Sequence, residues 1–91
     1  MSALHDTLRS IVGSDGIVEQ KKDRISVEIQ VEHRERRVTA VRIEIYPAKK
    51  TYVCRYIGRT FTRLWDYAHA FKVLTDVLHY LGNDFTEDRT S

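Results

Sequence analysis

Two neighbouring stretches of the chain alternate between apolar and polar residues with the period of a β-strand. Every second position is aliphatic in residues 24–33, and the alternation resumes over residues 38–46. This period is typical of strands with one buried face, so we predict an antiparallel hairpin with residues 34–36 at its tip. The pairing that keeps both apolar sets on one face and avoids like charges puts Glu28 opposite Arg42. The apolar sets are Ile25, Val27, Ile29 and Val31, and Thr39, Val41, Ile43 and Ile45.

The longest helical pattern covers residues 63–81. On a helical wheel of about 100° per residue, a broad apolar arc lies opposite a polar one. An arc of this width needs a larger surface than another short helix, so we expect the helix to pack on the sheet. A shorter pattern over residues 2–12 predicts a first helix, which Gly13 ends. The apolar arc of the long helix holds Leu64, Tyr67, Ala70, Phe71, Leu74, Val77, Leu78 and Leu81, and the polar arc holds Trp65, His69, Lys72, Asp76 and His79.

Residues 51–57 form the third predicted strand, and its orientation has two solutions. Tyrosines on the outer face would suit the stacking of unpaired bases, whereas aliphatic residues there would suit a protein interface. We favour the aliphatic solution, because the other would bury the charge of Arg55. The tyrosine set is Tyr52 and Tyr56, and the aliphatic set is Val53 and Ile57.

Together these elements predict one α+β domain over residues 1–85 with the order α-β-β-β-α. We expect a three-stranded antiparallel sheet with both helices packed on one face and the other face open. Residues 17–18 either begin a further strand or only lead into the polar stretch after them. Residues 86–91 are polar and predict a disordered tail.

The charge of the 91-residue chain is nearly balanced, at +2, but it is unevenly distributed. Residues 19–63 carry twelve Lys and Arg against six Asp and Glu, a surplus of six positive charges. The only cysteine, Cys54, excludes an internal disulfide and favours a reducing compartment. With no signal-peptide pattern and no apolar run of roughly 20 residues, we expect a cytoplasmic protein that does not bind a membrane.

The sequence contains no motif that identifies an enzyme. The four histidines do not form a metal-binding pair on one helix face, and Cys54 has no histidine near it in sequence. One glycine at Gly58 is too little for a phosphate-binding loop. We therefore predict a non-catalytic protein without a metal or a cofactor.

Five arginines are predicted to converge at one end of the sheet. The hairpin tip and the end of the third strand lie at the same end of an antiparallel sheet, where the long helix also begins. Guanidinium groups beside a helix N-terminus suit phosphates, so we predict that this end binds the backbone of DNA or RNA. The alternative is a merely soluble tip, partly neutralised by Glu32 and Glu35. The five residues are Arg34, Arg36, Arg37, Arg59 and Arg63.

A rival interpretation makes the chain a protein-interaction module, acting as a homodimer, an adaptor or a small inhibitor of the kind that mobile elements encode. The open sheet face would carry apolar residues that need a partner, and a tryptophan on the polar side of the helix would anchor it. Alternatively, a loop covers the face and the tryptophan packs against a neighbouring loop. The candidate partner-binding residues are Val38, Tyr46, Val53, Ile57 and Trp65.

The segment before the long helix reads Gly-Arg-Thr-Phe-Thr-Arg over residues 58–63. In its order of elements the chain resembles double-stranded-RNA-binding domains, whose second helix begins with a basic segment at this point. Here arginines stand where that family has a lysine cluster, and the first helix lacks the family's acidic and aromatic residues. The resemblance therefore concerns topology alone, which does not carry function.

Overall fold

The computed structural model describes residues 3–33, 35–57 and 64–88, which form two helices and five strands. The predicted α+β class is confirmed. A 3₁₀ turn, Gly13–Asp15, connects the first helix to the first strand. The helices are α1 (Ala3–Val12) and α2 (Leu64–Leu81), and the strands are β1 (Gly16–Gln20), β2 (Ile25–His33), β3 (Arg36–Tyr46), β4 (Thr51–Tyr56) and β5 (Thr86–Glu87).

The five strands form one mixed sheet in the order β1-β2-β3-β4-β5. The pairs β1–β2, β2–β3 and β3–β4 are antiparallel, whereas β5 runs parallel to β4. The predicted three-stranded antiparallel sheet is therefore wrong, and with five strands the similarity in element order to double-stranded-RNA-binding domains is lost. The tail prediction is also wrong for Thr86–Glu87, because these residues pair with Thr51 and Tyr52. Residues 89–91 lie outside the described chain.

The hairpin of β2 and β3 has the predicted register over most of its length, and then a bulge. Glu28 pairs with Arg42, as predicted, but beyond Ile29 the register shifts by one residue. The bulge leaves Ala40 as the extra residue on β3, so that the alternation of β3 changes phase there. Val38 consequently packs against the core, and its predicted position on the open face is wrong.

One core lies between the sheet and the helices. Both helices bury side chains against the sheet face that carries Ile25, Val27 and Ile29. Val73 is buried although it lay outside the predicted apolar arc, whereas Phe71, predicted for the core, is 44% exposed. Burying aliphatic side chains contributes about 1.5–3 kcal/mol each, so this core is the main source of stability. The helical residues of the core are Leu8, Val12, Ala70, Val73, Leu74, Val77 and Leu81.

Glycines determine where both helices end and how closely β1 approaches its neighbours. Gly13 and Gly82 follow α1 and α2 with φ of 56° and 55°, a left-handed conformation that glycine adopts without strain. Gly16 has an extended backbone, but a Cβ there would overlap the carbonyl oxygen of Glu28 and crowd a methyl group of Val12. The junction between α1 and β1 therefore requires glycine at this position.

The orientation of β4 follows the favoured solution. Cys54 pairs with Ile43, a core residue, and Tyr52 pairs with Ile45. Because partners across a strand pair share a face, the even-numbered residues of β4 lie on the helix side. Val53 and Arg55 lie on the open face, as predicted.

Candidate interaction surfaces

Two of the five predicted phosphate-binding arginines belong to the described chain. Arg36 and Arg37 are the first residues of β3, and both side chains are exposed. Consecutive residues of a strand point to opposite faces, so one lies on the helix side and the other on the open side of the sheet. The other three, Arg34, Arg59 and Arg63, lie outside the described residues.

Arg37 donates two hydrogen bonds to neighbouring segments of the chain. Its Nη2 donates to the carbonyl oxygen of Ser14 at 2.8 Å, and its Nε donates to Oε1 of Gln30 at 3.4 Å. Its cross-strand partner is Glu32, yet the guanidinium reaches across β2 to the 3₁₀ turn before β1. An arginine has five N–H donors, so the remaining ones are still able to bind a ligand.

Two contacts connect the described elements next to the predicted arginine cluster. The backbone N–H of Ile57, just after β4, donates to the carbonyl oxygen of Ala40 on β3 at 2.8 Å. Nε2 of His69, near the start of α2, lies 3.0 Å from Oδ1 of Asp15, just before β1. The end of β4 thus lies beside the middle of β3. His69 of α2 contacts Asp15, the neighbour of Ser14, to which Arg37 donates.

The centre of the open face carries matched charges. Arg42 donates from Nη2 and Nε to Oε1 of Glu28, at 2.7 and 3.1 Å. Arg24 donates from Nη1 to Oε2 of Glu44 at 2.7 Å and to the hydroxyl of Tyr46 at 3.1 Å. The bond to Tyr46 and the charge of Glu44 raise the pKa of Arg24 above its ordinary value. These two pairs match the charges of Arg24, Arg42, Glu28 and Glu44 with one another.

A shallow polar concavity of about 150 Å³ lies on this face. Two of its lining residues, Glu28 and Arg42, already bind each other. Because acidic and basic groups lie side by side, the concavity favours neither an anionic nor a cationic ligand. Its lining residues are Ile17, Glu19, Lys21, Ser26, Glu28, Arg42 and Glu44.

The candidate partner-binding residues do not form one apolar patch on the open face. Tyr46 is half-buried, and the cationic groups of Arg24 and Lys49 each lie 5.9 Å from its ring centroid. Val53 is half-buried beside Glu44, its partner on β3. Val38 faces the core, and Ile57 is 37% exposed at the end of β4. The side chain of Trp65 lies outside what the structure describes.

Exposed aromatic surface occurs instead beside β4, on the helix side of the sheet. Tyr56 is 61% exposed, and its ring centroid lies 6.2 Å from that of Phe71 on α2. The sequence analysis placed Phe71 in the core, because Phe71 belongs to the predicted apolar arc of α2. The face of α2 that is buried is narrower than that arc. The sequence contained a signal of this difference in Val73. When Val73 is included in the buried arc of the helical wheel, the centre of that arc moves away from Phe71.

The described residues assemble no candidate metal-binding group. Among residues 3–33, 35–57 and 64–88, no three His, Cys, Asp or Glu side chains lie where they could hold a metal ion. Burial raises the pKa of the Cys54 thiol to about 11, which keeps it protonated and unreactive at neutral pH.

Neither helix of the described chain is long and apolar enough to span a lipid bilayer. Comparison with protein-family models, with curated proteins and with solved structures finds no match to this chain. Its own residues and their geometry are therefore the whole basis for assigning a function.

Proposed function

We propose that this chain is a small non-catalytic domain that binds the phosphate backbone of a nucleic acid. The arginines that bind it lie at the hairpin end of the sheet, where β2 ends at His33 and β3 begins at Arg36. The observation that carries this proposal is the pair of hydrogen bonds that hold Arg37. An arginine whose side chain is already restrained by hydrogen bonds loses less conformational freedom when it binds an anion. Arg36, exposed beside it, adds a second positive charge on the other side of the strand.

The pairing of acidic residues elsewhere on the sheet also supports phosphate binding. Glu28 and Glu44 are bound by Arg42 and Arg24, so neither carboxylate neutralises the hairpin end. The positive surplus of residues 19–63 therefore falls on side chains outside these pairs. Exposed arginines of this kind bind phosphates through charge-assisted, bidentate hydrogen bonds.

The remaining members of the proposed site are Arg34, Arg59 and Arg63. Their placement is a prediction from the sequence. One support is that β4, which precedes Arg59, ends beside Ala40 of β3. Another is that His69 of α2, which follows Arg63, contacts Asp15. Five arginines around the start of a helix would also draw on the partial positive charge of its free N–H groups.

A titration of labelled nucleic acid at several salt concentrations tests the proposal. Duplex DNA, duplex RNA and single strands are each titrated with the protein, and fluorescence anisotropy reports binding. Phosphate contacts release counterions, so affinity for at least one of these ligands should fall steeply as salt rises. Affinity that is flat with salt, or no binding at low salt to any of them, would dismiss nucleic-acid binding.

A protein-interaction role is the second candidate, and the exposed Tyr56–Phe71 pair favours it. The chain could act as a homodimer, an adaptor or a small inhibitor encoded by a mobile element. Light scattering at high protein concentration tests the homodimer directly, because a strictly monomeric chain removes it. We also propose a cytoplasmic location, which suits the free thiol of Cys54.

A further inference from the structure

Among the described residues, the outer edge of β4 is paired over only part of its length. On its inner side, β4 pairs with β3 from Thr51 to Tyr56. On its outer side, the pairing with β5 covers Thr51 and Tyr52 alone. Within the described residues, the edge from Val53 onward therefore has a strand on one side only, and such an edge is a template for another strand.

The backbone groups of this edge point outward at the even-numbered positions. The β5 segment donates N–H groups to the carbonyl oxygens of Lys50 and Tyr52, at 2.9 and 2.8 Å. Backbone groups alternate in direction along a strand, so those of Cys54 and Tyr56 point the same way. β5 shows that this edge accepts a strand, and it ends before these two residues.

The helix side of the same edge is aromatic. Tyr56 and Phe71 lie 6.2 Å apart between ring centroids, and both side chains are substantially exposed. Half-buried Cys54 lies next to Tyr56 on this face. An apolar side chain from an added strand would cover these rings and remove their surface from water.

The open side of the edge is positively charged. Arg55 is exposed, and its partner across the strands is Arg42. The guanidinium of Arg42 is already bound to Glu28, whereas Arg55 has no acidic partner among the described residues. An acidic side chain on an added strand would neutralise Arg55, because opposite charges on adjacent strands attract.

A second copy of β4 fits this edge poorly. Antiparallel pairing of two such edges through Cys54 and Tyr56 would put Arg55 of each copy directly opposite Arg55 of the other. Arg55 would then occupy the position between hydrogen-bonded pairs, where side chains are closest. Like charges directly opposite each other destabilise strand pairing, so the charge pattern favours a different chain.

We propose that the outer edge of β4 from Val53 to Ile57 binds an extended segment of a partner protein by strand addition. The segment alternates apolar residues, which pack on Tyr56 and Phe71, with acidic residues, which pair with Arg55. Main-chain hydrogen bonds would supply affinity, and the two faces would supply specificity. This surface is distinct from Arg36 and Arg37, so phosphate binding can fail without affecting it.

A blocked peptide that alternates valine and glutamate is the direct probe, with a valine–lysine peptide as the matched control. Both are titrated into the labelled protein, and amide chemical shifts report binding. The glutamate peptide should shift the amides of Cys54 and Tyr56, and the lysine peptide should not. Arg55→Glu should weaken the glutamate peptide roughly fivefold and allow the lysine peptide to bind. Lys22→Glu makes the same charge change in the turn between β1 and β2, and it should not alter the binding of either peptide.

Each other outcome overturns the proposal. Equal binding of both peptides, binding of neither, or shifts elsewhere would remove the alternating acidic segment as the ligand. Concentration-dependent shifts of Cys54 and Tyr56 without peptide would make a second copy the occupant. Amide exchange as slow at Cys54 and Tyr56 as at Ile43 in the free protein would mean that the edge is already paired. Circular dichroism confirms folding of both variants, and Arg55→Gln replaces Arg55→Glu should the latter unfold.

Discussion

Arg42 and Glu28 face each other across β3 and β2, and the guanidinium donates two hydrogen bonds to a single carboxylate oxygen. The side chains are partly shielded, at 41% and 23% exposure. We predict that the effects of Glu28→Gln and Arg42→Gln on the free energy of unfolding are non-additive. The coupling energy should be about 0.5–1 kcal/mol and should fall as the salt concentration rises. Urea unfolding of the two single variants and the double variant measures it. Additive effects at low salt would show that the pair contributes nothing.

Gly16 and Gly13 lie close together in sequence, but they should respond differently to alanine. A Cβ at Gly16 would overlap the main-chain oxygen of Glu28, whereas a Cβ at Gly13 meets nothing. We predict a loss of about 3 kcal/mol or more in the free energy of unfolding for Gly16→Ala. Gly13→Ala should cost only about 1 kcal/mol, the strain of a left-handed alanine. Thermal and urea unfolding compare them, and equal costs would contradict the close approach of β1 to β2.

The bulge in β3 makes opposite predictions for two adjacent residues. Ala40 is fully buried, and Thr39 pairs with Gln30 on the open face. Ala40→Leu should destabilise the protein by about 1–3 kcal/mol through overpacking, whereas Thr39→Leu should change stability by less than about 0.5 kcal/mol. Uninterrupted alternation would reverse this order, because Thr39 would then face the core. Urea unfolding of both variants decides between the two arrangements.

The Cys54 thiol should make stability depend on alkaline pH. Burial, with a smaller contribution from Glu87, raises its pKa from 9.0 to about 11. The folded state therefore holds the proton more tightly than the unfolded state, and the stability from this group is complete below pH 9.0 and lost as pH rises toward about 11. After allowance for partial exposure, we expect a loss of about 1 kcal/mol.

Two measurements check this dependence. Thiolate absorbance should titrate with a midpoint near pH 11, and modification by iodoacetamide should be slow at neutral pH. Cys54→Ser provides the control, because its stability should fall less between pH 9.0 and about pH 11. A midpoint near pH 9.0, or an identical fall in both proteins, would show that the thiol is not shielded.

The parts of the fold with a strong hydrophobic period were predictable. The hairpin register followed from two alternating runs and one charge pair, Glu28 with Arg42. The orientation of β4 followed from the cost of burying Arg55. A period of two is a sensitive indicator of register, because a shift of one residue moves every side chain to the other face.

The features that the sequence analysis did not predict show little or no hydrophobic periodicity. The two residues of β5 contain no alternation, and their pairing with β4 depends on where the turn after α2 returns the chain. The bulge at Ala40 left a trace, because Val38 and Ala40 are apolar on what should be a polar face. The bulge moves Val38 inward and Thr39 outward, which resolves that conflict.

The candidate site stays largely a prediction, because Arg34, Arg59 and Arg63 lie outside the described residues. Strand topology led us to expect the hairpin tip and the start of α2 at one end of the molecule. It did not indicate that Arg37 would bind Ser14, because that contact requires the start of β1 beside β2. The mutual neutralisation of Arg24 and Glu44 on the open face likewise depends on the exact ends of two strands.

The most direct test of phosphate binding compares two charge-matched double variants on the same nucleic acid. Arg36→Gln with Arg37→Gln removes two positive charges at the hairpin end, and Lys21→Gln with Lys22→Gln removes two at the opposite end of β2. The slope of log affinity against log salt should become shallower by about 1.8 for duplex DNA in the arginine variant, about 0.9 per lost phosphate contact, and should stay unchanged in the lysine variant. Equal slopes for wild type and both variants would contradict the assignment of the phosphate-binding surface to Arg36 and Arg37.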